Sequence, residues 1–503
     1  MTDAVHRQSR TIRQQIGLLL GPIVAIGLQL MGVPEGVTAS TGDVESARLA
    51  WVVLSLLSLM AIWWVTEAIP IPVTSLLPMV VLPLAGVMSM RDAAAPYMHP
   101  IVVLLMGGLI IAKAVERWNL HARIALSVVA SVGAKPTTLV GGFMVAAALL
   151  SMWISNTATS IMMMPIALSV AAAVLGEEAD LHAPFTYALL LGIAYACSIG
   201  GLGTLVGTPT NLIVVGYLND NAGFAIDFVQ WMTLGIPAVL VLVPLAWFVL
   251  TRWAFPLKGT FGTTGQDVVK DRLAALGKIT TPEVRTLMVF SVIAFLWIFR
   301  KPLTGLEVGG VTPLAGLTDH VVAILGVILC FLVPSGSRQR GGALLDWKAA
   351  ETIPWGVLLL FGGGMSLAGA ITQTGLGAWI GGEMAEFAAL PILVLVAALT
   401  AFVIFTTEVT SNVATASALM PVLGALALAA GIDVELLAVP LALAASCAFM
   451  LPMATGPNAV VFATGEVTLP TMASAGFRLN LLAIPVITLI AYSLAPVVFA
   501  NGS

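Results

Sequence analysis

SMWISNTATSIMMMPIAL at residues 151–168 and TEVTSNVATASALMPVLG at residues 407–424 are two versions of one pattern, at an offset of 256 residues. In each copy an apolar run is interrupted by Ser-Asn, at 155–156 and at 411–412, and then resumes through a proline. Unpaired backbone groups are costly in hydrocarbon, so such a break persists only where it lines a cavity or is buried in protein. The pattern predicts two hairpins that enter a membrane and return.

The composition supports a membrane protein. Hydrophobic residues make up 59% of the 503 residues and charged residues only 9%, against about 25% charged residues in soluble proteins. This excludes a soluble enzyme and a disordered chain, and the net charge of −4 offers no basic surface for nucleic acid. Cys197, Cys330 and Cys447 lie in apolar stretches without a CxxC pair, so we expect buried, unreactive thiols.

The apolar runs predict an all-α polytopic membrane protein. A span needs about 20 apolar residues, and the first run lacks a small-residue cleavage site, so we expect it to be retained. Eleven spans are predicted around two re-entrant hairpins at 138–173 and 391–425. The predicted spans are 16–32, 48–68, 70–88, 100–116, 185–215, 228–251, 286–299, 319–334, 352–373, 435–463 and 479–499.

The basic residues predict the orientation in the bilayer. With these spans, all but four of the 21 Lys and Arg fall on the side of the N-terminus; the exceptions are Arg48, Arg91, Arg300 and Lys301. Cytoplasmic loops are rich in Lys and Arg. We therefore expect a cytoplasmic N-terminus. The absence of an organelle-targeting segment fits the inner (plasma) membrane of a bacterium.

The repeat predicts how the chain is organised. Arg117, Arg123 and Lys135 precede the first hairpin, whereas the counterpart stretch carries only Glu383 and Glu386. The charge rule places these stretches on opposite sides, so we expect inverted repeats, which are common in transporters. The predicted segments are an N-terminal segment with the first span (1–47), the first repeat (48–255), a charged cytoplasmic linker (256–285) and the second repeat (286–503).

A second pair of polar motifs follows the hairpins, SIGGLGTLVGTPTN ending at Asn211 and SCAFMLPMATGPN ending at Asn458. At such breaks, helix N-termini favour an anion, and unwound carbonyls and hydroxyls favour a small cation such as sodium. Residues 136–251 and 349–477 contain all four motifs and no Lys or Arg. We therefore predict that an anionic substrate binds between cations that enter with it.

These motifs, together with TEAIPIPVTSLLP at Thr66–Pro78, resemble the divalent anion:sodium symporter family. The resemblance covers nearly the whole chain, with five motifs in the same order. It implies carriage of di- or tricarboxylates or, in some members, sulfate. It also implies a homodimer of eleven-span protomers, each with a scaffold domain and a transport domain that moves as an elevator.

The resemblance also implies site residues. The first sodium site would use Ser151, Ser155, Asn156 and the backbone of Gly207. The second would use Thr407, Thr410, Asn412 and the backbone of Ala454. The substrate carboxylates would meet Ser155, Asn156 and Thr157 from one hairpin and Ser411, Asn412 and Val413 from the other, with Thr208 and Thr455 close by.

Three positions depart from the repeat or from the family pattern. Val413 lacks the hydroxyl that Thr157 has in the first copy, which removes a possible donor. Gly456 stands where family members often have proline, and it either loosens the break or tolerates the same turn. Glu408, whose repeat mate is Met152, either adds cation affinity or a titrating proton, or makes a structural hydrogen bond that pins the hairpin.

The leading prediction is sodium-driven import of a C4 dicarboxylate such as succinate, malate or fumarate. Citrate or another tricarboxylate, sulfate, and sodium-independent dicarboxylate exchange remain as alternatives. An intramembrane enzyme is disfavoured, because the spans show no Ser with a nearby His and no HExxH pair. A channel is disfavoured because paired broken helices in inverted repeats are typical of alternating access.

Overall fold

The computed structural model describes residues 10–133, 135–176, 181–257, 264–307, 309–337, 341–384 and 390–499. Within these ranges the chain is helical, and its β-structure is one isolated bridge between Pro334 and Ala343. Ten helices in the described ranges are long and apolar enough to cross a membrane. The prediction of an all-α polytopic membrane protein is confirmed.

Helices are numbered along the chain. The first half contains α1 (Ile12–Met31), α2 (Glu35–Thr41), α3 (Val44–Thr66), α4 (Ile71–Thr74), α5 (Leu77–Leu84), α6 (Met90–Ala94), α7 (Pro100–Arg117), α8 (Leu120–Ala130), α9 (Pro136–Ser151), α10 (Asn156–Leu175), α11 (Pro184–Gly200), α12 (Pro209–Asn221) and α13 (Phe228–Phe248). The second half contains α14 (Thr264–Ala275), α15 (Thr281–Ile298), α16 (Arg300–Thr304), α17 (Asp319–Leu332), α18 (Trp347–Ala350), α19 (Trp355–Gln373), α20 (Leu376–Glu383), α21 (Ile392–Thr407), α22 (Asn412–Ala430), α23 (Glu435–Ala445), α24 (Gly456–Ala463) and α25 (Leu469–Phe499).

The ten long helices do not coincide one for one with the predicted spans. Two of them, α10 and α22, lie in the segments predicted as re-entrant hairpins. The predicted spans 70–88, 319–334 and 435–463 consist of shorter helices instead. Prolines and polar clusters interrupt the backbone hydrogen bonds in the first and last of these spans, which explains why their helices are short. The number of crossings stays a prediction.

The chain forms two compact units, and each takes segments from both sequence repeats. The predicted division at 255 and 286 therefore does not coincide with the compact units and stays a prediction about the repeats. The first unit is Met1–His99, Trp355–Ala389 and Val413–Ile432, and the second is Pro100–Pro354, Leu390–Asn412 and Asp433–Ser503.

In the first unit, the TEAIP motif is held by hydrogen bonds to Ser75. The Trp64 indole donates to the Ser75 hydroxyl at 3.1 Å, and the Tyr97 hydroxyl donates to the Ser75 carbonyl. The backbone of α19 comes so close that a Cβ on Gly363 would lie 2.3 Å from that carbonyl oxygen. This close approach requires glycine at position 363.

The second unit is built around α11, whose residues from Phe185 to Gly200 are nearly all buried. Because α11 is buried, the segment that follows it, which begins at residue 201, packs against the hairpin formed by α9 and α10. Cys197, Cys330 and Cys447 are free and buried in this unit, which confirms the expected burial of the three thiols.

Gly363→Ala should destabilise the protein, because the added methyl group collides with the Ser75 carbonyl. Overpacking of this kind costs about 1–3 kcal/mol. Gly369→Ala in the same helix is the matched control, since a Cβ there meets nothing within 4 Å, and better helix propensity should stabilise it by up to about 1 kcal/mol. Thermal unfolding of the purified protein measures both, and equal Tm values for the two variants would contradict the packing argument.

Candidate functional site at the helix breaks

Four interruptions of the helices carry the predicted site. The first hairpin break is residues 152–155 and the second hairpin break is residues 408–411. The first loop break is residues 201–208, and the second loop break is residues 446–455. The helices before the two hairpin breaks, α9 and α21, have 16 residues each. At about 24 Å they are shorter than a hydrocarbon core of about 30 Å.

The two hairpin breaks close with the same hydrogen bond. The Ser151 hydroxyl donates to Asn156 Oδ1 at 2.6 Å, and the Thr407 hydroxyl donates to Asn412 Oδ1 at 2.7 Å. Ser151 and Thr407 are fully buried. Each hydroxyl keeps its lone pairs and each amide oxygen keeps one, so both pairs still offer oxygen ligands to a cation.

The two loop breaks are also built alike. Asn211 donates through Nδ2 to the carbonyls of Gly201 and Thr204 at 3.0 and 2.8 Å. Asn458 donates in the same way to the carbonyls ten and seven residues before it, at 3.1 Å each. Both asparagines are fully buried. Each loop break is therefore held by one amide that bridges two carbonyls left free by unwinding.

The ligands implied for the first sodium site meet beside Gly201. The point where a Gly201 Cβ would stand lies 3.0 Å from Asn156 Oδ1 and 3.1 Å from the Gly207 carbonyl oxygen. Ser151 joins this group through its hydrogen bond to Asn156. Ser155 stands at the N-cap position of α10 without a side-chain capping hydrogen bond, and it is exposed. Three of the four predicted ligand residues thus lie together, and all of their oxygens are neutral.

The second predicted sodium site is assembled less directly. The Thr407 hydroxyl contacts both Asn412 Oδ1 and the Ala445 carbonyl, the latter at 3.2 Å. Thr410 is buried and its hydroxyl donates to the carbonyl four residues before it. Ala454 is buried in the second loop break. Direct contacts therefore join Thr407 with Asn412, while Thr410 and Ala454 lie in the same unit.

Four helices begin at the predicted substrate residues. Thr208 and Thr455 precede α12 and α24, and the Thr455 hydroxyl accepts the Asn458 backbone N–H at 3.2 Å. Asn156 and Asn412 are the first residues of α10 and α22. A helix N-terminus carries about half a positive charge and several free N–H groups, so each of these ends favours an anion.

Thr157 and Gly456 bring two of these helix ends into contact. A Cβ on Gly456 would lie 1.9 Å from the Thr157 hydroxyl oxygen and 3.0 Å from the Thr157 Cβ. Rotating the threonine would leave its own Cβ too close. Glycine at 456 therefore makes room for a side chain from the first hairpin, and a proline at that position would collide with it.

Val413 belongs to the first unit, whereas the other twelve predicted site residues belong to the second. The boundary between the two units falls between Asn412 and Val413. Val413 is partly buried against the hydrophobic core of the first unit, which includes Trp51 and Ala414. Its contact with substrate stays a prediction.

Glu408 is enclosed by hydrogen-bond donors. Its carboxylate accepts the backbone N–H of Phe449 at 2.7 Å, of Met450 at 2.9 and 3.0 Å, and of Leu451 at 3.0 Å. The Asn480 side chain donates to the same carboxylate at 2.7 Å. Glu408 is 3% exposed. These donors stabilise the carboxylate and satisfy N–H groups freed by the second loop break.

This geometry favours the structural role of Glu408 over a cation-coupling role. Both carboxylate oxygens are occupied by donors, which leaves little capacity for an ion. The first repeat makes the equivalent link with neutral groups, since the Thr204 hydroxyl donates to the carbonyl of Met152, the repeat mate of Glu408. The Glu408 carboxylate therefore links the second hairpin break to the second loop break by hydrogen bonds. The Thr204 hydroxyl links the first hairpin break to the first loop break in the same way.

Sequence reasoning missed three residues that complete the loop breaks. The Trp231 indole donates to the Leu202 carbonyl at 3.0 Å, and the Tyr195 hydroxyl donates to the Phe449 carbonyl at 2.9 Å. These carbonyls are equivalent, because each lies nine residues before the asparagine of its motif. Asn480 is the third. A polar group inside an otherwise apolar helix is the signal that marks all three.

The chain is similar to known transport proteins over almost its whole length. A family profile described as the sodium:sulfate symporter transmembrane region matches residues 15–500. A sodium-dependent dicarboxylate transporter, SdcS, of Staphylococcus saprophyticus is 39% identical over 98% of this chain and 93% of the relative. SdcS of Staphylococcus aureus is 39% identical over 96% of this chain and 92% of the relative.

A solved structure has a similar fold. The crystal structure of the Alcanivorax borkumensis YdaH transporter, described as having an unusual topology, superposes with a TM-score of 0.56. The match covers 90% of this chain and 99% of that chain at 15% sequence identity. At this identity the likeness concerns the fold alone.

Glu408→Gln should destabilise the protein without changing its pH profile of uptake. The amide NH₂ would face backbone donors, and leaving such buried groups unpaired costs about 1–3 kcal/mol. Glu383→Gln is the control, because Glu383 is exposed at the end of α20. Thermal unfolding measures the change in stability. Uptake over about pH 6–8 measures the pH dependence. A stable variant with an altered pH or sodium dependence would support the coupling role instead.

Proposed function

Because the chain belongs to the sodium:sulfate symporter family, the divalent anion:sodium symporters, we propose that it imports a C4 dicarboxylate such as succinate, malate or fumarate together with sodium ions. One observation carries the proposal. The chain builds a buried hydroxyl–amide pair beside a helix N-terminus twice, at Ser151–Asn156 and at Thr407–Asn412. The pair supplies oxygen ligands for a cation, and the helix end supplies donors for an anion.

Sodium coupling rests on the charge of these segments. Residues 136–251 and 349–477 contain no Lys or Arg, so helix ends provide the fixed positive charge, about half a unit each. Sodium ions at the two oxygen clusters would provide the remainder. Occupied cation sites would then raise the affinity for the anion, and the anion would raise the affinity for the cations. The names of the staphylococcal relatives support sodium as the coupling ion.

A dicarboxylate suits a duplicated site. The two copies offer donors at the start of α10 and of α22, one set for each end of a molecule with two carboxylates. The relatives are named for dicarboxylates, whereas the family profile is named for sulfate. Sulfate is therefore the second candidate substrate, and citrate is the third.

The mode of transport belongs to the same proposal. Family resemblance supports an elevator movement of a transport domain, a homodimer, and the two predicted inverted repeats. The distribution of Lys and Arg supports a plasma-membrane protein with a cytoplasmic N-terminus. Alternating access is the expected mechanism for a chain with paired helix breaks.

Uptake of radiolabelled succinate into proteoliposomes tests the proposal. We expect an inward sodium gradient to stimulate uptake, and an equal gradient of choline or potassium to leave it at background. Asn156→Ala combined with Asn412→Ala should abolish the sodium-stimulated component, because both oxygen clusters lose their amide. Asn221→Ala, an exposed asparagine at the end of α12, is the matched control and should retain uptake.

The competitors decide among the substrates. Unlabelled malate and fumarate should inhibit succinate uptake, and excess sulfate or citrate should inhibit it weakly. Strong inhibition by sulfate with no succinate uptake would replace the dicarboxylate by sulfate. Uptake that ignores sodium and requires internal dicarboxylate would identify an exchanger and contradict the charge argument.

Gly456→Ala should weaken substrate binding. The added methyl group displaces Thr157, a predicted substrate ligand. Because a hydrogen bond to a charged group is worth about 1.5–3 kcal/mol, KM for succinate should rise at least about tenfold. Gly316→Ala in the same unit is the control, since a Cβ there meets nothing within 4 Å. An unchanged KM in Gly456→Ala would argue against contact between Thr157 and the substrate.

A further inference from the structure

The first hairpin break contains a tryptophan that is held by aromatic rings from two other helices. Trp153 lies between Ser151 and Ser155, and its ring centroid is 5.2 Å from that of Phe290 in an edge-to-face contact. It is stacked 5.9 Å from Phe228 and 6.4 Å from Trp297. Phe228 belongs to α13, and Phe290 and Trp297 belong to α15. Two separate helices therefore contact one side chain of the four-residue break.

The rings that receive Trp153 are themselves fixed. Phe228 and Trp297 stack on each other with centroids 4.7 Å apart and planes 6° from parallel, and both are buried. Offset stacking of this kind adds to the energy of burial and sets the orientation of the rings. We call Phe228, Phe290 and Trp297 the aromatic seat of Trp153.

A cluster of charged residues contacts two rings of the aromatic seat. Arg300 bridges Asp227, at 3.1 Å, and Asp319, at 2.8 Å, and both aspartates are buried. The Asp319 carboxylate accepts the backbone N–H of Phe228 at 3.0 Å. The backbone carbonyl of Asp319 accepts the Trp297 indole N–H at 3.0 Å. The cluster therefore joins the start of α13, the end of α15 and the start of α17 around two rings of the seat.

The second hairpin break has no such arrangement at the matching position. Val409 is the repeat mate of Trp153, and its side chain is 51% exposed. There the neighbouring Glu408 ties the break to the second loop break by five hydrogen bonds. The two hairpin breaks are thus anchored by different chemistry, one by aromatic packing and one by a carboxylate.

We propose that Trp153 is a positioning residue for the first cation site, and that the aromatic seat with its Arg300 cluster keeps the oxygens of Ser151 and Asn156 in place for sodium. This inference rests on the proposed sodium coupling. The break has four residues, so a shift of Trp153 moves the residues on both sides of it. A cation site gains affinity when groups around its ligands hold them in position.

The consequence is selective. Without its seat, the first hairpin break has more conformations, and sodium must select the one in which the oxygens converge. Apparent sodium affinity should fall, while KM for the anion at saturating sodium should change little. If Trp153 had a merely structural role, its substitution would lower Tm without changing the sodium concentration for half-maximal stabilisation.

Sodium-dependent thermal stability of the purified protein, without any anion substrate, tests the inference. Tm is measured against NaCl concentration, with choline chloride keeping the ionic strength constant. In Trp153→Ala the sodium concentration for half-maximal stabilisation should rise about tenfold. Trp153→Phe should restore most of the affinity, because it keeps an aromatic ring in the seat. Val409→Ala should behave like the wild type.

Arg300→Lys tests the seat without altering the hairpin itself. Lysine cannot bridge the two aspartates as the guanidinium does, so the half-maximal sodium concentration should rise in the same direction as in Trp153→Ala. Combined with Trp153→Ala it should add little further, because both changes act through one seat. Arg300→Lys alone keeps the test decisive if Trp153→Ala does not remain monodisperse in size-exclusion chromatography.

The outcomes separate the inference from the proposed function. If sodium stabilises the wild type and both Trp153→Ala and Arg300→Lys keep the wild-type sodium concentration, the positioning role is overturned and the proposed function stands. If sodium does not stabilise the wild type more than choline, the proposed sodium coupling fails, and the inference fails with it. A selective loss of sodium affinity that Trp153→Phe reverses supports both.

Discussion

A helix that unwinds inside a membrane leaves backbone N–H and C=O groups without water, and the site of this protein depends on how those groups are satisfied. Each loop break is closed by an asparagine amide that bridges two carbonyls, Asn211 in one copy and Asn458 in the other. Each hairpin break is closed by a hydroxyl on an amide oxygen. Once these bonds are made, the remaining lone pairs and helix ends are oriented and available to the proposed cargo.

The two copies keep the bonds that define the breaks and differ in what holds the breaks in place. The second copy uses the buried charge of Glu408, which accepts three consecutive backbone N–H groups. The first copy uses the neutral hydroxyl of Thr204 and the aromatic ring of Trp153. A carboxylate forms stronger hydrogen bonds but needs full satisfaction when buried, whereas packed rings need none. The repeat therefore fixes the site geometry, and the supports around it have diverged.

Charge explains why the proposed cargo should include cations. The motif intervals lack Lys and Arg, and the Glu408 carboxylate at the second hairpin break is already occupied by hydrogen-bond donors. A divalent anion bound there meets only partial charges from helix ends. In the proposed mechanism, ions that bind at neutral oxygens beside the anion supply the remaining charge and are released with it. A fixed arginine would bind the anion without sodium and would remove this coupling.

The sequence by itself determined the membrane class, the positions of the four breaks and the duplication of the site. These follow from apolar runs of about 20 residues, from Ser-Asn and Pro inside them, and from one offset that aligns both hairpins. The burial of the three cysteines was also predictable. Helix length was a poorer guide, because broken spans such as 435–463 are assembled from two short helices.

Only the tertiary structure decided which distant residues complete the breaks. Glu408 meets Asn480 across 72 positions of chain, Trp153 meets Phe290 and Trp297, and Thr157 sets the need for glycine at 456. No local pattern encodes these pairs, because the sequence of one apolar helix does not specify which other helix packs against it or on which side. Hydrogen bonds and ring contacts between remote segments are fixed by packing, and packing is a property of the folded chain.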